Sequence, residues 1–266
     1  MDGKTVSELL TRVRREKPLV HQITNWVTIG DCASVTRAFG ALPVMAHAQE
    51  EAADMAGIAS ALVLNIGTLT PGLVEAMILA ARRANDRGIP VVLDAVGVGA
   101  TPLRNDKAAQ LLDTVRIDIV KGNISEVARL AGEDVRTHGV EATDVALHAG
   151  EVAKTLAITR KVTVVITGVA DMVSDGVRTF RVKNGHALMS AVVGTGCMAA
   201  AVIGAFAAVE PDHATAAAAA VAAYGIAGEC AAARSEGPGS YKVHFFDEAY
   251  RLDSETIERM ALIVEI

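Results

Sequence analysis

The sequence predicts an α/β protein: a mostly parallel central sheet with helices on both faces and antiparallel strands added late at one edge. Three observations predict it. Short apolar runs alternate with longer helical patterns from Leu19 to Thr167, the signature of a parallel sheet covered on both sides. Two turn signals, Asp175-Gly176 and Asn184-Gly185, follow the last of those runs and point to hairpins. Polar or glycine-rich clusters (Asn65-Ile66-Gly67-Thr68, Asp94 to Thr101, Lys121-Gly122-Asn123, Thr167-Gly168) end successive strand runs, where parallel sheets bind ligands.

The elements follow in order. A charged amphipathic pattern over Val6–Lys17 predicts a helix, and Leu19–Thr24 is the first short apolar segment. Asn25 is placed to cap a helix running toward Phe39. Ser60–Ile66 reads as a buried strand. Thr70-Pro71 opens a helix that runs to Arg87 and stops at Gly88. Strands are expected at Ile89–Asp94, Ile117–Val120 and Val162–Thr167, with helices at Leu103–Thr114, Ser125–Ala131 and Asp144–Thr159. Ala170–Ser174 and Val177–Lys183 form a hairpin through Asp175-Gly176, and three or four long helices finish the chain. No linker rich in Pro, Gly or Ser interrupts residues 1–266, so a single domain is expected.

Composition narrows the function. Apolar residues make up 51% of the 266, but aromatics only 3%, so the core is built from Ala, Val, Leu, Ile and Met. A net charge of -6 and the lack of aromatic platforms exclude nucleic acid as a partner. The alanine-rich stretch His213–Ala233 is the one membrane suspect, and Glu229 with two glycines argues for a buried helix instead. Three cysteines without CxxC spacing, and no basic-then-apolar leader at the N-terminus, lead to an expected cytoplasmic location.

The richest run is Gly194-Thr195-Gly196-Cys197, which opens a helical pattern through Phe206. The first turn of a helix has N–H groups without intrahelical partners, and such a terminus attracts phosphate. Cys197 sits in that turn, where the helix field favours its thiolate. The run is neither a Walker A loop, lacking Lys-Ser/Thr after its last glycine, nor a dinucleotide fingerprint, lacking the third glycine.

Other residues carry two readings each. Asp94 either holds Mg²⁺ beside a phosphate or forms a turn. Asn123 and Glu126 stand at capping-box spacing, and Glu126 is also placed to organise waters around Mg²⁺. Lys121 is a cation at a strand end, for nucleotide phosphates or merely a surface lysine, and Thr167 offers a hydroxyl to phosphate or to the cap of the next turn. His21 and His47 lack metal-ligand spacing. Met45 is a core residue or a ligand wall, its thioether suited to a sulfur-containing ring. Cys32 and Cys230 lie inside helical patterns and pack.

Six motifs together resemble the hydroxyethylthiazole kinase family of the ribokinase-like superfamily. They are His21-Gln22-Ile23-Thr24-Asn25, Pro43-Val44-Met45-Ala46, Asp94 to Thr101, Lys121 to Glu126, Gly194 to Cys197, and Gly237-Pro238-Gly239-Ser240. The resemblance implies a ribokinase-like three-layer sandwich. It also implies ATP-dependent phosphorylation of the alcohol of 4-methyl-5-(2-hydroxyethyl)thiazole, in thiamine salvage. On matching positions, Asn25, Met45 and Gly194 line the thiazole pocket, Lys121 and Thr167 contact ATP, and Asp94 and Glu126 organise Mg²⁺ and its waters. Gly194, Thr195, Gly196 and Cys197 form the anion hole for the moving phosphoryl group. A homotrimer with pockets at subunit borders is implied as well.

This chain departs from the family pattern at Ala95, where many relatives have proline, and at Lys121, where many have arginine. Cys197 stands where most ribokinase-like sugar kinases place a base aspartate. Three rival functions remain: a kinase for a pyrimidine alcohol, an acyl-transfer enzyme using Cys197 with His21 or His47 as base, and a thiazole- or nucleotide-binding sensor.

Overall fold

A computed structural model describes residues 1–133 and 142–266. One nine-stranded sheet runs through it in the order β2-β1-β3-β4-β5-β6-β7-β8-β9. Its strands are β1 (Leu19–Ile23), β2 (Leu42–Val44), β3 (Ala61–Asn65), β4 (Val91–Asp94), β5 (Ile119–Asn123), β6 (Thr163–Thr167), β7 (Asp171–Ser174), β8 (Thr179–Val182) and β9 (Ile263–Glu265). The six strands from β2 across to β6 pair in parallel, and β7, β8 and β9 add on antiparallel.

Two apolar clusters cover the two faces. One holds α4 (Pro71–Arg87) with buried residues of α3 (Gln49–Ile58), α5 (Pro102–Thr114), α6 (Ile124–Leu130) and α7 (Ala142–Arg160). The other holds α1 (Gly3–Glu16), α2 (Ile29–Ala38), α8 (Thr195–Ala207), α9 (His213–Ala232), α10 (Pro238–Arg251) and α11 (Ser254–Met260). Helix, sheet and helix thus form the expected three layers. α9 is long and apolar enough to cross a membrane, but most of it is buried, and it packs against α8 and α10.

Local chemistry sets the boundaries that the sequence predicts best. Thr70 caps α4, its hydroxyl accepting from Leu73 N–H, with Pro71 in the first turn and Gly88 at φ 70° ending the helix. Thr101 and Pro102 repeat the arrangement at α5.

Three expectations change. The helix after Asn25 begins at Ile29, so Asn25 does not cap it. Instead Asn25 Oδ1 accepts from the N–H groups of Val27 and Thr28, both at 3.0 Å, closing a turn before the helix. Asn184-Gly185 makes no hairpin. The Asn184 side chain donates to Glu229 on α9 and to Met260 O, and β8 pairs with β9 from the chain's end. β5 extends to Asn123, which puts Lys121 inside a buried strand. β2, α3 and β9 are short or only weakly patterned, and the apolar runs do not announce them.

What seats α8 is Gly204: a Cβ there would lie 2.5 Å from Val63 Cγ2 of β3. Gly204→Ala therefore forces the helix off the sheet. Overpacking of this kind costs about 1–3 kcal/mol. Denaturant unfolding checks it, and unchanged stability would contradict the close seating.

Candidate active site

Asp94, the last residue of β4, is fully buried and its two oxygens face different donors. Lys121 Nζ donates to Oδ1 at 3.0 Å, and Asn65 Nδ2 donates to Oδ2 at 2.6 Å. The parallel register explains the meeting: Asn65 pairs with Asp94, and Asp94 with Lys121, at the carboxyl ends of β3, β4 and β5. The row continues. Asn65 Oδ1 accepts from Asn25 Nδ2 at 3.1 Å and from Gly67 N–H at 2.9 Å. Asn25 Nδ2 also reaches Cys197 Sγ at 3.3 Å. A hydrogen-bonded line thus runs from Lys121 to Cys197.

Burial raises the Asp94 carboxyl, with Lys121 opposing the shift. Lys121 is raised as well: burial pulls it down, but the Asp94 charge outweighs that. The two effects together describe a buried ion pair, expensive to desolvate and costly to break.

Above this pair stands the N-terminus of α8. Gly194 adopts φ 91° and precedes the first helical residue. A Cβ at Gly194 would sit 2.3 Å from Thr28 Cγ2, so only glycine fits. No side chain caps the helix. The first intrahelical bond, from Met198 N–H to Gly194 O, leaves the amides of Thr195, Gly196 and Cys197 facing out. Thr195 does not aim its hydroxyl at them; Oγ1 donates to Met189 O at 2.9 Å, while Tyr224 OH donates to Thr195 O at 2.7 Å. A Cβ on Gly196 would come within 3.1 Å of Lys121 Nζ, so the ammonium lies directly against the first turn. Free amides, a helix dipole and an ammonium at one point attract an anion.

The expectation that the helix field makes Cys197 a thiolate is corrected here. Burial pushes the thiol up and the Asp94 charge adds to it; Lys121 and the side chains of Asn65 and Thr28 pull the other way without prevailing. Cys32 is buried and pushed up to about 12, inert packing as expected. Cys230, half-buried on α9, packs against Met260.

Glu126 realises the capping box. Its Oε2 accepts from Asn123 N–H at 2.7 Å while Asn123 Oδ1 accepts from Glu126 N–H at 2.9 Å. Oε1 accepts from Gly97 N–H at 2.7 Å, which ties the glycine loop after β4 to α6. Among the described residues no group of three or more His, Cys, Asp or Glu forms a ready metal cage. Asp94 and Glu126 spend their oxygens on protein donors, so an Mg²⁺ ion at these residues would be held through water, which Mg²⁺ retains readily.

Beside the anion site opens a cavity of about 500 Å³ lined by Thr167, Gly168, Asp171, His186, Met189, Thr195, Gly196 and Val221, among others. The volume fits a nucleotide-sized ligand. Thr167 Oγ1 donates to Gly122 O at 3.4 Å. Asp171 accepts from Gly168 N–H at 2.9 Å, and burial raises its carboxyl to about 7. On the other side, Met45 is half-buried just past the end of β2, and its carbonyl oxygen lies 3.0 Å from His47 Nδ1. The His47 ring lies 4.8 Å from that of Trp26, which is more than half exposed. His21 is buried and donates through Nε2 to Ala46 O, with burial lowering its pKa. Neither histidine hydrogen-bonds Cys197, so the base that an acyl-transfer enzyme needs is not in place.

Sequence reasoning reaches Asn65 only as part of a strand-end cluster and does not reach Thr28, Asp171 or Tyr224. Asn65 is legible: an amide ends an apolar run two residues before a glycine, level with Asp94 in the next strand. The others depend on contacts between distant elements, which no local pattern shows.

The comparisons with known proteins now decide the family. A family model described as "HK: Hydroxyethylthiazole kinase family" matches residues 10–255. The chain belongs to the hydroxyethylthiazole kinase family. A relative from Methanosarcina mazei named hydroxyethylthiazole kinase is 58% identical, covering 97% of this chain and 98% of its own. Another, from Thermoanaerobacter pseudethanolicus, is 51% identical over 95% and 96%. A solved structure of a hydroxyethylthiazole kinase protein from Pyrococcus horikoshii is 42% identical and superposes with a TM-score of 0.90 over 98% of both chains. Staphylococcus aureus pyridoxal kinase, solved with AMP-PCP and pyridoxal, shares the fold at 14% identity, with a TM-score of 0.61 over 94% of this chain and 99% of its own.

Two outcomes follow from the electrostatics. Lys121→Met leaves Asp94 buried without its cation, a loss of about 3–5 kcal/mol on the scale of broken buried pairs, measurable by denaturant unfolding; a loss under about 1 kcal/mol would mean that the pair is solvated. Asp171 gives a pH signature. Its carboxyl is held near 7 against an ordinary 3.8, so between those values the folded chain keeps a proton that the unfolded chain has lost. Stability therefore falls as pH rises through that window and levels off above it. Asp171→Asn removes this slope, and melting temperatures of both chains across the window check it; identical curves would contradict it.

Proposed function

We propose that this chain transfers the γ-phosphoryl group of ATP to the hydroxyl of 4-methyl-5-(2-hydroxyethyl)thiazole, a step in thiamine salvage. One observation carries the reading: the Lys121 ammonium lies against an uncapped helix N-terminus whose Thr195 and Gly196 line a nucleotide-sized cavity. Phosphoryl transfer depends chiefly on positioning and on charge stabilisation, and both are supplied there.

In this reading the triphosphate enters beside Thr167 and the cavity wall, with its terminal phosphate against the amides of Gly194, Thr195, Gly196 and Cys197. The thiazole alcohol lies on the far side, near Asn25, Met45 and Gly194. Lys121 offsets charge on the transferring group as a point cation; it lacks the two-pronged grip of an arginine. Asp94 and Glu126 would hold Mg²⁺ through water, and the ion would supply charge neutralisation for the phosphates. The buried Asp94–Lys121 pair and the capping-box geometry of Glu126 favour that water-mediated arrangement over direct ligation. Cys197, as a thiol, orients the hydroxyl more than it removes its proton.

The reading keeps residues 1–266 as one kinase domain in the cytoplasm, where three free cysteines remain reduced. It also makes the enzyme a homotrimer with sites at the borders. Exposed Trp26, Val27 and Val193, each next to or near a site residue in the chain, support an apolar contact there.

ADP formation with ATP and Mg²⁺, with and without the thiazole alcohol, tests the proposal. Thiazole-dependent ADP supports it, whereas dependence on hydroxymethylpyrimidine instead selects the pyrimidine-kinase alternative. Binding of both ligands with no ADP selects the sensor. Cys197→Ala is expected to lower kcat by about 10²-fold with KM little changed, the low end for loss of a useful acid–base or orienting group. Full turnover in that variant would remove Cys197 from the chemistry.

A further inference from the structure

Hydrogen-bond order along the buried line from Lys121 to Cys197 is fixed at both ends. Asp94 oxygens accept from Lys121 Nζ at 3.0 Å and from Asn65 at 2.6 Å, so Asn65 must present its NH₂ group to the carboxylate. Its carbonyl oxygen then faces the other way, where it receives Gly67 N–H at 2.9 Å and Asn25 Nδ2 at 3.1 Å. Asn25 is fixed in the same sense. Its oxygen is taken by Val27 N–H, Thr28 N–H and the Thr28 hydroxyl, so its NH₂ faces Asn65 and Cys197 Sγ, the latter at 3.3 Å. Flipping the Asn65 amide would set its oxygen against the carboxylate, and flipping that of Asn25 would set its NH₂ against two backbone N–H groups. Both residues are buried, where such mismatches are costly.

We infer that Asn65 is a positioning residue: tied to the Lys121–Asp94 pair, its oxygen anchors the Asn25 amide beside Cys197, so that the sulfur accepts from the protein and directs its S–H toward the reacting groups. The inference rests on the kinase reading above and adds to it a residue and a role. Cys197 then works as a neutral hydrogen-bond donor at the phosphoryl-transfer point. The raised thiol, set by burial and the Asp94 charge, agrees with that state. Asn65 acts through Asn25 and Asp94, and its side chain also acts on the Cys197 thiol directly.

The decisive experiment compares Cys197→Ser and Cys197→Ala, each alone and with Asn65→Ala, by steady-state kinetics on the full chain. A serine hydroxyl donates as a thiol does but is a far poorer source of an anionic base. Ser at 197 is therefore expected to keep turnover within about 10-fold of the unmodified chain, while Ala falls about 10²-fold. Asn65→Ala alone is expected to lower kcat by about 10-fold or more, with both KM values little changed, as for supporting partners of a site. With Asn65→Ala the difference between Ser and Ala collapses, because the hydroxyl is no longer aimed.

Ser performing no better than Ala in the native background would overturn the donor role. A Ser–Ala difference that survives Asn65→Ala would overturn the positioning role of Asn65. Circular dichroism confirms folding; should Asn65→Ala not fold, Asn65→Ser, which keeps a short donor toward Asp94, takes its place with the same readouts. Failure of the unmodified chain to form ADP with the thiazole alcohol would instead sink the kinase reading, which separates the two claims.

Discussion

The ion pair between Asp94 and Lys121, sealed at the carboxyl edge of the sheet, is the constraint on which the rest depends. Neither partner is more than 4% exposed. Such a pair adds little net stability compared with apolar packing, but losing one member is severe, so its position is held tightly. Parallel pairing of β4 and β5 sets the two residues side by side. It also places Asn65 on the adjacent strand within reach of the same carboxylate. One charge pair therefore orders three neighbouring strand ends.

Close packing completes the site from above. α8 lies against the sheet only because Gly204 has no side chain to meet Val63. Its N-terminus overlies Lys121 only because Gly196 leaves room for the ammonium, and Gly194 leaves room for Thr28. Three glycines along one helix thus act together, letting a positive helix end approach a buried cation. Asp94 balances the ammonium, and the free amides of the helix end are the positive group left without an anion. The cavity lies on one side of this helix end and the tilted Trp26–His47 ring pair on the other.

Much of this is legible in the sequence. The alternation of apolar runs and helical patterns implies the three layers, and strand-end clusters locate the functional edge. Glycine-Thr-glycine-Cys before an apolar helix marks the uncapped helix N-terminus beside Lys121, because helix termini have fixed chemistry. Other features are hidden for physical reasons. Lys121 reads as a surface cation after a strand, whereas β5 runs on through it and buries it. Glu126 reads equally well as a cap or a metal organiser; the cap is what forms, with Gly97 as an added partner. The place of Cys197 on its helix argues for a thiolate, yet desolvation and Asp94 outweigh the helix field. Asn184-Gly185 carries a hairpin signal, but the Asn184 side chain is spent on Glu229 and the last strand's approach. At Lys121, Cys197 and Asn184 the surroundings in space override a local rule, whereas at Glu126 the local rule holds.

A crystal structure with a non-hydrolysable ATP analogue, Mg²⁺ and the thiazole alcohol tests the central claim most directly. The account predicts the terminal phosphate within hydrogen-bond distance of the amides at Thr195 to Cys197, with Lys121 still paired to Asp94 beneath it. A terminal phosphate bound elsewhere in a closed site, leaving those amides to solvent, would contradict it.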